Sequence, residues 1–229
     1  FGVPVAGMDP MVRRRAKERW PVAYLTGVRE FWSMQFRVTP DVLIPRPETE
    51  TLVRVAVDLK PRRVVELGIG SGCVSAALAR ELPDAEIVAL DCSPAALEIA
   101  RQNLAELGFA DRVTLVEASG LGELSGPFDL VVSNPPYVQE GDLAGLAPEL
   151  RHEPRVALDG GPDGLHAVRR LCAEAPALLE RPGHLALEIG LGQADAVEEL
   201  LRASGAAVVE RYPDLAGIPR VVVGRFLEI

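Results

Sequence analysis

From residue 63 to the end of the chain, short apolar runs alternate with segments whose apolar residues recur every three to four positions. The first pattern predicts buried β-strands, and the second predicts amphipathic helices. Strands are predicted at residues 64–67, 87–90, 113–116, 128–133, 184–189, 206–209 and 220–224, and helices at about 73–82, 94–107, 165–179 and 194–204. This alternation predicts an α/β fold, in which helices cover both faces of a mostly parallel sheet.

The first 60 residues lack this alternation, which places a domain boundary near residue 60. Residues 1–60 are expected to form a small preface, and residues 61–229 the main domain. A helix is predicted over residues 9–19, because Asp9 is a suitable N-cap and Pro10 would occupy the first helical position.

A β-hairpin and a further helix are predicted before the boundary. Residues 31–38 alternate enough to predict a strand, and residues 42–44 are its predicted return partner across a turn at 39–41. The apolar residues of 49–59 follow a helical period, and Pro61 ends that helix.

Composition limits the class of protein. Hydrophobic residues make up 48% of the chain and charged residues 25%, which is typical of a globular protein. No stretch approaches the roughly 18 consecutive apolar residues that a membrane span requires. Cys73, Cys92 and Cys172 lack the spacing of a disulfide framework or a metal site, so we expect no metal and a reducing cytoplasm. Cys73 and Cys92 are interpreted as packing residues.

The net charge of −9 is unevenly distributed. Residues 1–60 carry ten Lys and Arg against seven Asp and Glu, whereas residues 61–229 carry 14 against 26. An acidic main domain is poorly suited to hold a phosphate backbone, so no direct nucleic-acid binding is expected. The basic residues cluster in the first predicted helix, where a solvated face is the preferred interpretation over an anionic partner: Arg13, Arg14, Arg15, Lys17 and Arg19.

A glycine-rich turn joins the first strand of the main domain to its helix, in the sequence Glu66-Leu67-Gly68-Ile69-Gly70-Ser71-Gly72. Such glycines allow a tight turn and close approach of a ligand to the backbone. The spacing differs from the dinucleotide and phosphate-loop patterns, and Glu66 would repel a pyrophosphate but suit a cation. Asp91 ends the second strand about 20 residues later, where a carboxylate can bind ribose hydroxyls. A plain tight turn and an N-cap are the competing interpretations.

The tetrapeptide Asn134-Pro135-Pro136-Tyr137 directly follows the buried strand at 128–133. Two prolines cannot continue a β-ladder, and Pro135 holds Asn134 in an extended conformation. An amide and a phenol are therefore held on a stiff loop at the carboxyl end of a strand, where open α/β sheets bind ligands. A strand that merely stops at Pro-Pro is the simpler alternative.

These motifs resemble those of class I S-adenosylmethionine-dependent methyltransferases that modify planar amino nitrogens. Residues 21–27, 45–50 and 153–161 are further similar to one branch, the protein-glutamine N5-methyltransferases that act on peptide chain release factors. The resemblance runs from about residue 20 to the end. It implies a Rossmann-like, mostly parallel seven-stranded sheet with an antiparallel last strand, and a likeness of residues 1–60 to part of a helical substrate-recognition domain with a hairpin linker.

The resemblance also implies a function, with S-adenosylmethionine as cofactor and S-adenosylhomocysteine as product. The substrate would be the glutamine of the Gly-Gly-Gln motif of class 1 release factors, and the protein a cytoplasmic monomer. The catalytic residues would be Asn134, Pro135 and Tyr137, which with Pro136 would also bind the substrate. The cofactor would contact Glu66, Gly68, Ile69, Gly70, Ser71, Gly72, Asp91, Cys92, Ser119 and Asn134.

The chain departs from the branch in two places. Residues 117–120, Glu-Ala-Ser-Gly, lack the acidic and aromatic pair that often lies near the adenine, and the N-terminal helical part is short. Alternative functions are a glutamine methyltransferase of a ribosomal protein, a DNA or RNA amino methyltransferase, a nicotinamide-dependent oxidoreductase and a non-catalytic binding module.

Several side chains keep two interpretations. Thr49 either closes over the cofactor or caps a helix, and Arg46 contacts either substrate or Glu48. His152 is interpreted as a surface or structural residue rather than a catalytic base, and so are the two other histidines of the chain, His166 and His184.

Overall fold

The computed structural model describes residues 10–228, and its first elements are two short helices, α1 (Pro10–Lys17) and α2 (Val22–Thr26). The helix predicted over 9–19 is therefore present as α1, while its proposed N-cap, Asp9, lies outside the described residues. None of the α1 side chains is buried. Arg15 and Arg19 of this region both form ion pairs with Glu149, at 2.9 and 2.8 Å.

A β-hairpin follows, but its predicted strands were wrong. The paired strands are β1 (Val28–Phe31) and β2 (Met34–Arg37), so the turn is at Trp32 and Ser33. Residues 42–44, the predicted partner, form no strand. Trp32 and Ser33 both have positive φ, 51° and 54°, as two-residue hairpin turns require.

Contacts outside the turn explain why this pair was not recognised. The sequence Trp-Ser lacks the Asn-Gly or Asp-Gly signal of such turns. Instead, the backbone N–H of Ser33 donates to Glu30, and that of Trp32 donates to Glu50. The indole Nε1 of Trp32 donates to Glu81 at 2.9 Å. The turn is therefore held by one local hydrogen bond, to Glu30, and by two tertiary ones, to Glu50 and Glu81.

From the next helix onward, the predicted alternation of strand and helix is confirmed. Seven strands form one sheet in the order β5-β4-β3-β6-β7-β9-β8, and β9 runs antiparallel to both of its neighbours. The elements are α3 (Glu50–Asp58), β3 (Arg63–Leu67), α4 (Cys73–Glu81), β4 (Glu86–Asp91), α5 (Pro94–Glu106), β5 (Val113–Glu117), β6 (Phe128–Ser133), α6 (His166–Glu174), β7 (Leu179–Glu188), α7 (Ala194–Ala203), β8 (Val208–Pro213) and β9 (Pro219–Phe226).

Predicted boundaries fail mainly around β7. The predicted helix at 165–179 ends at Glu174 and continues as a 3-10 helix to Ala177. The next strand begins at Leu179 rather than 184, since Leu179 pairs with Phe128 across a register shift. The segment from 179 to 183 includes Pro and Gly, which hide its strand character.

The helices cover the two faces of the sheet with separate apolar clusters. On one face, Val64 and Leu130 pack with residues of α3, α4 and α5. On the other face, the next residues along the same strands, Val65 and Val131, pack with α6 and α7. Central strands are buried on both sides, which accounts for their continuous apolar runs. The domain division at residue 60 stays a prediction, and no helix within residues 10–228 is long and apolar enough to span a membrane.

Asn103 of α5 joins the hairpin, the helix and the glycine-rich turn. Its side-chain Oδ1 accepts the backbone N–H of Arg37 at 2.8 Å. Its Nδ2 donates to the backbone carbonyls of Arg37, at 3.0 Å, and Ser71, at 2.8 Å. Asn103 is only 1% exposed, so water cannot replace these bonds.

Substitution Asn103→Ala should therefore destabilise the protein. It removes the side-chain partner of the buried Ser71 carbonyl and of the part-buried N–H and carbonyl of Arg37, and we expect the free energy of unfolding to fall by about 2–4 kcal/mol. Urea denaturation measures the loss. The neighbouring Gln102→Ala, which removes a bond to Glu98 on the same helix, is the control and should cost less than about 0.5 kcal/mol. Equal losses for the two variants would contradict this role of Asn103.

Candidate active site

A cavity of about 380 Å³ opens at the carboxyl ends of β3, β4 and β6. The chain builds β3, β4 and β5 outward in one direction and then returns to place β6 on the other side of β3. The crevice between β3 and β6 is thus a topological switch point, where open α/β sheets bind ligands. Most of the predicted site residues line this cavity: Glu66, Gly68, Ile69, Gly70, Ser71, Asp91, Cys92, Ser119, Asn134, Pro135 and Pro136.

Gly72 and Tyr137 are not among the lining residues. Gly72 precedes α4 with φ 83°, and a Cβ there would lie 3.4 Å from Ala100. Tyr137 turns towards the loop after β7, where a Cβ on Gly190 would lie 3.1 Å from its ring. Both residues shape the site from behind its surface.

The glycine-rich turn is tied to the end of β4. The backbone N–H groups of Gly68 and Ile69 donate to the carbonyl of Leu90, at 2.8 and 2.9 Å. The N–H of Gly70 donates to Asp91 Oδ2 at 3.0 Å, and that of Ser93 donates to Asp91 Oδ1 at the same distance. Asp91 therefore has a fixed orientation. The N-cap of α5 is Ser93, whose hydroxyl accepts the N–H of Ala96, so Asp91 is not needed for that purpose.

Glu66 is a buried carboxylate in the wall of the cavity. Burial, and to a smaller extent the nearby charge of Asp91, raise its pKa against the opposing effect of the Ser75 hydrogen bonds, and the net pKa is about 8. Near neutral pH the group thus carries a proton much of the time. A cationic ligand beside Glu66 would favour its charged form.

Asn134 is held by a residue from a distant part of the chain. Its Nδ2 donates to the Thr49 hydroxyl at 3.1 Å. Thr49 forms no capping hydrogen bond at the start of α3, so the capping interpretation was wrong. It lines the cavity instead. Because the NH2 group of Asn134 faces Thr49, its carbonyl Oδ1 is the part of the amide left for a ligand.

The loop that follows Asn134 is clamped from two sides. The backbone of Val138 exchanges hydrogen bonds with residues 158 and 160, at 2.9 and 2.8 Å. The side chain of Gln193 donates to the carbonyls of Tyr137, at 3.1 Å, and Gly164, at 3.2 Å, and accepts the N–H of Gly190. Sequence reasoning missed Gln193, because nothing in the local pattern shows that its amide reaches Tyr137.

Within residues 10–228, Arg46 does not pair with Glu48. It forms an ion pair with Glu153, whose other carboxylate oxygen accepts the backbone N–H of Ile44 at 3.2 Å. The predicted Glu48 contact was wrong. The two stretches around residues 45–50 and 153–161 are thus bound to each other across the mouth of the cavity, where both contribute lining residues.

Comparison with known proteins agrees with this geometry. The family model of the methyltransferase small domain matches residues 47–161. The release factor glutamine methyltransferase of Bradyrhizobium diazoefficiens is 47% identical over 223 residues, which cover 93% of this chain and 74% of that protein. The chain belongs to the release factor glutamine methyltransferases. The predicted family is therefore confirmed.

Solved structures agree with the fold of a release factor glutamine methyltransferase. A release factor-specific protein-(glutamine-N5) methyltransferase from Alicyclobacillus acidocaldarius is 32% identical, with a TM-score of 0.50, and the match covers 84% of this chain and 100% of that one. A methyltransferase from Pyrococcus furiosus, 18% identical, has a TM-score of 0.63 over 86% of this chain and 91% of that one. This second similarity shows the fold alone, and the predicted fold class is confirmed.

In this member of the family, α6 covers the end of the cavity beside residues 117–120. Ala118 and Ser119 line that end together with His166 and Arg170. Gly120 has no side chain, and the Arg170 guanidinium occupies the space where a Cβ would be, with its Nε donating to Glu174 at 2.7 Å. His166, which was interpreted as a structural residue, thus lines the cavity, and Arg170 was not predicted.

Of the remaining side chains, His152 and His184 do not line the cavity, whereas Cys73 and Cys92 do. His152 stacks on Trp20 with ring centroids 4.4 Å apart and bonds the carbonyl of Glu18, which confirms its structural role. His184 is half-buried in β7, and burial lowers its pKa. Cys73 is buried, as predicted, but Cys92 is exposed, so its assignment as a packing residue was wrong. Among the described residues, no group of three or more His, Cys, Asp or Glu is placed to hold a metal ion.

Substitution Gln193→Ala should loosen the loop that carries Tyr137. Two or three hydrogen bonds worth about 1 kcal/mol each are lost, so the amides of Val138 and Gly160 should exchange with deuterium about 10- to 100-fold faster. Hydrogen exchange read by mass spectrometry measures this. The control is Gln139→Ala, an exposed glutamine in the same loop, which should leave the rates unchanged. Unchanged exchange in Gln193→Ala would show that the loop does not depend on the clamp.

Proposed function

We propose that this chain transfers a methyl group from S-adenosylmethionine to the side-chain amide nitrogen, N5, of the Gly-Gly-Gln glutamine in class 1 peptide chain release factors. Family membership supports the reaction and the substrate. The single structural observation that carries the proposal is the Asn134–Thr49 hydrogen bond, since it turns the Asn134 carbonyl towards the ligand side of the loop.

The cavity suits S-adenosylmethionine by the chemistry of its walls. Asp91 is oriented by two backbone N–H groups and keeps lone pairs for the two ribose hydroxyls. Glu66 is a buried carboxylate that a cationic amino group would stabilise. The turn at 68–72 brings bare backbone to the wall between them. When bound, the cofactor supplies a methyl group already activated on a sulfonium sulfur.

The chain's own part in the reaction is placement and electrostatics. Asn134 Oδ1 and the backbone carbonyl of Pro135 each accept one N–H of the substrate amide, which aims the nitrogen lone pair at the methyl carbon. Tyr137, whose ring packs beside Gly190 behind the cavity wall, supports the loop that carries these two acceptors. The bound cofactor would supply the methyl group and keep the electron pair of the broken carbon–sulfur bond, and the methylated nitrogen, still held by these acceptors, would release a proton to water.

The two acceptors also explain selectivity for a primary amide. A secondary amide or a hydroxyl offers one hydrogen, which would leave a buried acceptor without a partner. An exocyclic amino group of a nucleic acid also offers two hydrogens, so hydrogen bonding alone does not exclude it. The acidic charge of the main domain does, because residues 61–229 carry 14 basic against 26 acidic side chains and would repel a phosphate backbone. We propose that the protein acts as a cytoplasmic monomer without direct nucleic-acid contact, and that residues 1–60 contribute to recognition of the release factor.

Incubation with radiolabelled S-adenosylmethionine tests the substrate. Label should enter a class 1 release factor and should be lost when its Gly-Gly-Gln glutamine is replaced by alanine. Ribosomes, tRNA and DNA serve as parallel substrates. Label in a ribosomal protein or in nucleic acid, with none in the release factor, would overturn the proposal.

Substitution Asn134→Ala should abolish turnover and leave the cofactor site intact. Loss of one of two positioning acceptors should reduce kcat by about 100-fold or more. The affinity for S-adenosylhomocysteine, measured by calorimetry, should stay within about threefold because the glycine turn and Asp91 are untouched. The exposed Gln139→Ala is the control for this loop. A normal rate in Asn134→Ala would exclude this mechanism.

Cofactor affinity should depend on pH through Glu66. Its folded-state pKa of about 8 means that the group is mostly protonated at pH 6 to 7. A bound cation favours the ionised form, so affinity should rise between about pH 6 and pH 7.5, by up to about tenfold per unit, with release of a proton.

Calorimetry in two buffers with different ionisation enthalpies measures that proton. The Glu66→Gln variant should bind the cofactor more weakly, and its affinity should not depend on pH. The matched control is Glu199→Gln on the exposed side of α7. The same pH slope in Glu66→Gln and in the unmodified protein would contradict the assignment.

A further inference from the structure

A second buried carboxylate lies behind Asn134. Glu188 is the last residue of β7, which pairs with β6 so that Leu187 lies opposite Ser133, the residue before Asn134. Glu188 is only 2% exposed. Its Oε2 atom has no hydrogen-bond partner in the part of the chain that the structure describes. A buried carboxylate without a complete set of partners is costly, so its presence calls for an explanation.

The charged and polar groups around Glu188 come from several elements. Burial and the charge of Glu48 raise its pKa, whereas Thr49, Arg220 and Asn134 lower it by stabilising the charged form, and the net pKa is about 7. Arg220 of β9 is already bonded to Asp214 at 3.0 Å, so it is a shared partner. Burial raises the pKa of the Cys73 thiol of α4 and of the Tyr137 phenol, and the negative charge of Glu188 adds to the rise in each.

The donors and acceptors available in this cluster determine the direction of each hydrogen bond. Thr49 Oγ1 accepts one hydrogen from Asn134 Nδ2. Its own hydroxyl hydrogen then needs an acceptor, and an ionised carboxylate is a group that only accepts. Ionised Glu188 therefore favours one arrangement, in which the Asn134 NH2 group donates to the Thr49 hydroxyl and this hydroxyl donates to the carboxylate. A flipped Asn134 would direct its carbonyl oxygen at this negative charge.

We propose that Glu188 is a positioning residue that fixes the orientation of the Asn134 amide through Thr49 and so keeps Oδ1 facing the substrate. The inference rests on the proposed function and adds a residue that does not line the cavity. Glu188 acts through Asn134 and does not contact the substrate.

Protonation of Glu188 reverses this effect. A protonated carboxyl group can donate, and it then accepts a flipped Asn134 as readily as the productive one. The rate at saturating substrates should therefore be low at about pH 6 and rise through the pKa of about 7 to a plateau. The rate rises with pH because the ionised form of Glu188 is the active form.

The variants Glu188→Gln and Glu188→Asp test the proposal in the full chain with release factor as substrate. Glutamine matches the shape of glutamate but presents both a donor and an acceptor, so kcat should fall by about 10- to 100-fold and lose its rise between pH 6 and pH 8. Aspartate restores the charge and should recover the pH-dependent rise. The KM for S-adenosylmethionine should change by less than about threefold in both variants, because the cofactor wall is unaltered.

Thr49→Val and Thr49→Ser form a second matched pair. Valine removes the hydroxyl from a side chain of the same shape and should reproduce the pH-independent, slow reaction of Glu188→Gln. Serine keeps the hydroxyl and should retain the pH profile. The control is Glu199→Gln. Because Glu199 is exposed on α7, the same change of residue there should alter neither the rate nor the pH profile.

Stability provides a readout that does not depend on turnover. An acid whose folded-state pKa is raised loses stability as pH rises through that pKa. The melting temperature of Glu188→Gln relative to the unmodified protein should therefore increase from about pH 5 to pH 8. Glu66, which is present in both proteins, cancels in this comparison.

The outcomes separate the two proposals. If the unmodified protein methylates no release factor, the proposed function fails. If it is active and Glu188→Gln keeps both the rate and the pH profile, the role of Glu188 is overturned. Equal loss of rate in the glutamine and aspartate variants, with the pH profile unchanged in each, would show a packing role only and would also overturn it.

Discussion

The burial of two carboxylates at the carboxyl edge of the sheet is the constraint on which the site depends. Glu66 lies one residue before the end of β3, and Glu188 is the last residue of β7. Strand β6 lies between these two strands. Each carboxylate lies behind or within the wall of the cavity, and burial raises the pKa of both. Such groups reduce stability, and they persist because the apolar clusters on both faces of the sheet hold the strands in register.

The part of the fold that could be predicted is the part that local pattern determines. Central parallel strands are buried on both faces and therefore appear as unbroken apolar runs, and β6 was predicted with its exact bounds, Phe128–Ser133. The hairpin at Trp32 and Ser33 could not be predicted in the same way. Its turn conformation is maintained by Glu50 and Glu81, which belong to other elements.

In the candidate site, too, features set by the local sequence could be predicted, whereas contacts between distant residues could not. Glycines and prolines identify the turn at 68–72 and the loop at 134–137, because their backbone restrictions act locally. The partners that orient the side chains are distant in sequence: Thr49 lies 85 residues from Asn134, and Gln193 lies 56 residues from Tyr137. One signal was available. Glu188 is a charged residue inside the apolar run 185–189, and such a residue in a buried strand indicates a functional role more often than a structural one.

The ion pair between Arg46 and Glu153 joins the two distant stretches 45–50 and 153–161 of this chain. It binds the segment before α3 to the segment after the Asn134 loop. Thr49 lies three residues beyond Arg46, so the same attachment that closes the mouth of the cavity also brings the Thr49 hydroxyl to Asn134. The closure of the cavity mouth and the position of the Thr49 hydroxyl therefore depend on one attachment. The bonds of Asp91 to Gly70 and Ser93 do not depend on that attachment, whereas the segment that holds the Asn134 amide is fixed by it.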